Sequence, residues 1–152
     1  MTTRRDFLKT MTMASAGLAL GTGDLLGAPI SVSQRKAAAD KVKIAYVGIG
    51  NRGEQIIGDF ARTGMVEVVA LCDVDMGAPH TQKVMNMYPK AKRFRDFRQM
   101  FDKAGNDFDA VAIATPDHSH FPITMLALAS GKHVYVEKPL ARTFYEVELL
   151  MQ

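Results

Sequence analysis

Short apolar runs rich in β-branched residues alternate, from about residue 41 onward, with stretches whose apolar positions recur at helical spacing. Residues 41–47 (Lys-Val-Lys-Ile-Ala-Tyr-Val) predict a strand stopped by Gly48. Residues 52–62 predict a helix with Ile56, Ile57 and Phe60 on one face, ended by Gly64. Residues 66–72 predict a second strand, apolar enough to be covered on both faces. The pattern then predicts a weak helix over 76–88, a short strand over 92–94, and a helix carrying Phe97, Met100 and Phe101. A strand over 109–115, a helix over 121–130 closed by Gly131, a strand over 133–137 and an amphipathic helix over 143–152 complete the series. Strands and helices in strict alternation mean βαβ units. With right-handed crossovers, the expected fold is α/β, a doubly wound parallel sheet over residues 40–152.

The first 39 residues do not fit that alternation. Thr3-Arg4-Arg5-Asp6-Phe7-Leu8-Lys9 matches a twin-arginine export signal, and the stretch from Met11 to Leu26 is weakly apolar and rich in Ala, Gly, Thr and Met. It is too short and too polar for a comfortable membrane span. Residues 1–39 are therefore expected to be a signal peptide and linker, with cleavage near Ala28 or at Ala37-Ala38-Ala39. Such an address places the mature protein in the periplasm or another extracytoplasmic space. The twin-arginine translocase carries folded cargo, so a cofactor would be loaded early and held tightly.

Charge sharpens the picture. The formal net charge is +3, but residues 1–39 hold five basic residues against two acidic ones, and the rest of the chain holds 14 of each. No basic field remains for a nucleic-acid backbone. Cys72 is the sole cysteine, so no internal disulfide and no cysteine metal cluster can form, and its apolar neighbours predict a buried side chain.

The first strand runs into Gly48-Ile49-Gly50-Asn51-Arg52-Gly53, a Gly-x-Gly-x-x-Gly turn that follows a strand and opens a helix. Gly48 allows the tight turn, Gly50 lets backbone approach a pyrophosphate, and Gly53 lets helix and strand pack closely. The helix N-terminus offers free N–H groups and partial positive charge to phosphates. Asp73 ends the second strand, where an acid can accept hydrogen bonds from the adenosine ribose and repel a 2′-phosphate. Val74-Asp75-Met76-Gly77 offers no cation to bind such a phosphate, which favours NAD(H) over NADP(H). Asp73 could instead cap the next helix, and Arg52 could be a solvated first-turn residue.

Three further segments carry a resemblance: Ala114-Thr115-Pro116-Asp117-His118-Ser119-His120, Gly131-Lys132-His133-Val134 and Glu137-Lys138-Pro139-Leu140. With the glycine turn, they resemble the N-terminal Rossmann domain of the glucose–fructose oxidoreductase/inositol dehydrogenase (Gfo/Idh/MocA) family, over roughly residues 41–152. The resemblance implies that Lys138 is catalytic, pointing at the nicotinamide and the substrate hydroxyl. It implies that Glu137 lies near the nicotinamide and ribose, and that Pro139 follows a cis peptide. Thr115 and Pro116 would border the cofactor, and His120 would lie near it. Gly48, Gly50, Asn51, Arg52, Gly53 and Asp73 complete the expected cofactor site. Asp117 stands where the family commonly has Asn, which leaves an amide contact there in doubt.

No metal is expected: His118 and His120 lack an evident third ligand. His133 reads as structural and His80 as solvated. Family members carry a second α+β domain that supplies most of the substrate pocket and mediates oligomers. That domain is absent from these residues, so a truncated chain, inactive alone and a homo-oligomer through the missing part, is expected. The leading expectation is an NAD(H)-dependent oxidoreductase acting on a sugar or polyol hydroxyl. The alternative is a glycoside hydrolase of the related family 109, working by transient oxidation and elimination; those enzymes commonly lack the Glu-Lys-Pro form. A non-catalytic NAD-binding subunit is the third.

Overall fold

A computed structural model of the chain describes residues 41–152; the export signal expected in residues 1–39 lies outside them. The element order is β1 (Val42–Val47), α1 (Arg52–Arg62), β2 (Val66–Cys72), α2 (Pro79–Met87), β3 (Lys92–Phe94), α3 (Phe97–Ala104), β4 (Ala110–Ile113), α4 (His120–Ala129), β5 (His133–Val136) and α5 (Phe144–Leu150). The five strands form one parallel sheet in the order β3-β2-β1-β4-β5. The doubly wound α/β fold is thus present, with β1 at the centre and the order reversing on either side of it.

Strand alternation divides the core in two. Ala45 and Val47 of β1 join Met100, Phe101, Ile123 and Ala127 under α3 and α4. Ile44 and Tyr46 point the other way, to Ile56, Ile57, Val84 and Met85 under α1 and α2. Tyr46 is buried at the centre of the second face, with its hydroxyl unpaired among the described residues. Burial, and then the neighbouring Tyr88, push its phenol up from the usual tyrosine range. An unmet buried hydroxyl costs about 1–3 kcal/mol, offset here by an aromatic ring packed edge-on to Phe60.

Several element ends differ from those the pattern predicts. The helix expected from residue 76 starts at Pro79, because Thr81 builds a turn first: its hydroxyl accepts from the Gly77 N–H at 3.0 Å, and Gly77 has φ +100°. β4 is shorter than 109–115. Asp109 spends its side chain on the Lys43 N–H (3.0 Å), and Thr115 has already left the ladder. β2 is fully covered only in its last three residues, since its first half runs along the sheet's margin. α5 opens with a capping box between Thr143 and Glu146 and closes at Leu150. Cys72 is buried, and burial pushes its thiol up to about 12.

Candidate functional site

The carboxyl ends of the central strands open into a groove of about 640 Å³. Its floor is the turn between β1 and α1. Gly48 has φ +80°, and a Cβ there would sit 2.6 Å from the carbonyl oxygen of Ala114. A Cβ on Gly53 would collide with the carbonyl oxygen of Gly48, so only glycine lets α1 come this close to β1. The Gly53 N–H donates to the Gly50 carbonyl (2.9 Å), closing a four-residue turn with Asn51 at its second position. Asn51 has φ 46° and ψ −101°, near the type II′ geometry that glycine normally supplies. No side chain caps α1, and in its first turn the Gly53 N–H is taken by the Gly50 carbonyl. The sharp bend, the uncapped helix and the missing Cβ atoms fit a diphosphate.

Asp73 lies just past β2 in the groove wall. Its Oδ2 accepts from the Ile49 N–H and its Oδ1 from the Asp75 N–H, each at 2.9 Å. The carboxylate therefore braces the glycine turn from below, and it does not cap α2, whose N-cap is Ala78. Each oxygen keeps acceptor capacity for a ribose hydroxyl. Opposite lie Thr115 and Pro116, after β4. Thr115 Oγ1 is buried and has no partner among the described residues, a polar atom that a ligand in the groove could satisfy.

Three wall residues escape a linear reading. His80 is solvent-exposed, as expected, and also sets its ring against Gly50, 3.7 Å from an Asp75 oxygen. Arg95 and Arg98 enter from the segment after β3. Arg95 donates to the carbonyl oxygens of Val74 (3.2 Å) and Met76 (2.8 Å), tying that segment to the loop after Asp73. The signal for Arg95 and Arg98 was available only through sheet order, which sets β3 beside β2.

The Glu-Lys-Pro segment flanks the groove rather than lining it. Arg52 connects the two: it lines the groove at the start of α1, and its Nη2 donates to Glu137 Oε1 at 2.9 Å. Tyr135 Oη donates to the same oxygen at 3.0 Å. The Arg52 hydrogen bond, then that from Tyr135, hold the Glu137 carboxyl below the usual range, and Glu137 in turn raises the Tyr135 phenol. Lys138 is exposed and makes no ion pair among the described residues; its bond to Pro139 is cis, as the resemblance implied. His120 is fully buried and does not line the groove, because its two ring nitrogens are taken up by backbone carbonyls, Nδ1 at 2.7 Å from Pro139 and Nε2 at 2.8 Å from Thr115. His118 is exposed at the groove's edge instead.

Comparison with known proteins decides the family. The family model described as an oxidoreductase family with an NAD-binding Rossmann fold matches residues 42–152. The chain belongs to this family. Within the family, it is 32% identical to a glycosyl hydrolase family 109 protein of Shewanella pealeana, over 94% of this chain and 35% of that protein. It is 30% identical to an alpha-N-acetylgalactosaminidase of Shewanella oneidensis, again over 94% of this chain and 35% of the relative. Among solved structures, the scyllo-inositol dehydrogenase of Lactobacillus casei with bound NAD(H) and scyllo-inositol superposes with a TM-score of 0.62. It is 28% identical over 73% of this chain and 32% of that one. The chain thus spans about a third of the length of the relatives it matches.

Proposed function

We propose that the protein carrying this chain is an NAD(H)-dependent oxidoreductase acting on a sugar or polyol hydroxyl. The observation that carries this reading is the groove at the carboxyl ends of the strands, floored by the Gly48–Gly53 turn that a diphosphate fits, with Lys138 two residues past the end of β5. When bound, NAD supplies a hydride acceptor at its nicotinamide. Gly48, Gly50, Asn51 and Gly53 with the first turn of α1 would hold the diphosphate, and Asp73 the adenosine ribose. Thr115 and Pro116 would form the opposite wall. Lys138 Nζ holds the substrate oxygen and relays its proton. Glu137, kept ionised by Arg52, places a fixed negative charge next to that ammonium.

NAD is preferred over NADP: Asp73 lines the groove, where its carboxylate would accept from a ribose hydroxyl and repel a 2′-phosphate, while Arg95 spends its guanidinium on Val74 and Met76. Residues 1–39 direct export of the folded, cofactor-loaded protein by the twin-arginine translocase, and the sections beyond this chain complete the substrate pocket and an oligomer. The test uses the complete protein and a panel of sugars and polyols. Lys138→Ala should lower turnover 10²–10⁴-fold with NAD affinity unchanged; full activity in that variant refutes the role.

A second reading is favoured by one observation. The match to the glycosyl hydrolase family 109 relatives covers 94% of this chain, more than the Rossmann domain alone. In that reading the same oxidation activates a sugar for elimination of its leaving group. Release of phenol from aryl N-acetylgalactosaminides without added NAD supports it; oxidised sugar without phenol supports the first reading.

A further inference from the structure

We infer that His120 is a positioning residue, a buried two-way tie that sets Lys138 on one side and the Thr115–Pro116 wall on the other. The inference rests on the reading of Lys138 given above. His120 begins α4, is 1% exposed, and sits between two carbonyl oxygens 24 residues apart in sequence, Thr115 and Pro139. A carbonyl oxygen only accepts, so a neutral ring ties one of the two segments through its single N–H, and a doubly protonated ring ties both. One nitrogen serves the segment that walls the groove; the other serves the residue directly after Lys138.

The residue directly before Lys138 is tied too, through Arg52 and Glu137. Lys138 is therefore bracketed: its backbone is fixed on both sides, while its ammonium has no ion-pair partner among the described residues. The two ties differ in kind. Arg52 is half-exposed (54%), so water competes with it, whereas the His120 contacts lie in the interior. The histidine is the stiffer anchor. It also couples the two sides of the site, since a shift of the ring moves both segments together. A displacement near 1 Å at a reacting group costs on the order of 10²-fold in rate.

The two nitrogens can be tested apart. In His120→Asn the side-chain amide can reach the place of Nδ1 and keep the Pro139 tie. In His120→Gln the longer amide can reach the place of Nε2 and keep the Thr115 tie. Hydrogen exchange of the whole chain, read on peptides covering 113–119 and 137–143, reports each tie without activity. His120→Gln should speed exchange about ten-fold or more in 137–143 only, and His120→Asn in 113–119 only. In the complete protein, His120→Gln should lose at least ten-fold in kcat with NAD affinity within three-fold of the native protein, and His120→Asn should recover kcat. Equal acceleration of both peptides by both variants, or none, makes His120 mere packing and overturns the tie. Correct exchange patterns with unchanged kcat in His120→Gln overturn the positioning role. If instead Lys138→Ala keeps full turnover, the reading of Lys138 fails while the exchange result stands by itself.

Discussion

The glycine turn that floors the groove and the Glu-Lys-Pro segment that flanks it are built in different ways. At the glycine turn the architecture is backbone on backbone: φ +80° at Gly48, the close approach of Gly53 to Gly48, and the turn bond from Gly53 to Gly50. At the Glu-Lys-Pro segment it is side chains reaching across the fold: Arg52 to Glu137 over 85 residues, and His120 to Pro139 over 19. The first tolerates almost no added atom. The second depends on distant partners for its geometry. A rigid floor built from backbone can thus coexist with an adjustable flank built from side chains.

Four measurements would break or sharpen that contrast. The largest effect is expected from Gly53→Ala, whose methyl would meet the backbone carbonyl of Gly48. Neither backbone can yield without parting α1 from β1, so urea unfolding should show a loss on the order of 3 kcal/mol and calorimetry no heat with NAD. A loss below about 1 kcal/mol would mean the floor is softer than drawn.

Next comes Asp73→Ala. It strands the N–H of Ile49, itself fully buried, at a cost of about 1–3 kcal/mol, while water can take over the exposed Asp75 N–H. Asp73→Asn retains an acceptor and should recover part of the stability; it should also raise affinity for NADP relative to NAD in paired titrations. An unchanged ratio would show that the carboxylate serves the loop alone.

Smaller again is Asn51→Ala. Asparagine tolerates positive φ better than most residues, so alanine at φ 46° should lose about 1 kcal/mol and Asn51→Gly should gain a comparable amount. Chemical denaturation of the pair measures both, and opposite signs are the required result.

The smallest effect lies at the adjustable flank. Glu137 has its carboxyl held below the ordinary range by Arg52 and Tyr135. A depressed folded-state value means the pair stabilises the fold above the ordinary carboxylate range, around pH 4.3, and that this contribution is lost as pH falls through the lower folded value. Carbon NMR of the Glu137 carboxyl should show its midpoint below that of a free glutamate, and Arg52→Ala should move it back up. No movement would remove the ion pair as the link between the two regions.

The sequence by itself determined the sheet and its contents. The β-branched runs and their glycine stops located all five strands, because strand periodicity and turn chemistry act within a few residues. It also located the glycine turn, for only glycine serves where a Cβ would strike backbone. Element ends were less legible: Thr81 and Gly77 delay α2 through a side-chain turn that competes with the helix. Only the tertiary structure decided what each polar residue does. His120 became a buried tie, His80 a cover over Gly50, and Arg95 a brace for the loop after Asp73. Those roles depend on which strand lies next to which, and the order β3-β2-β1-β4-β5 is set by packing helices on both faces rather than by any local preference.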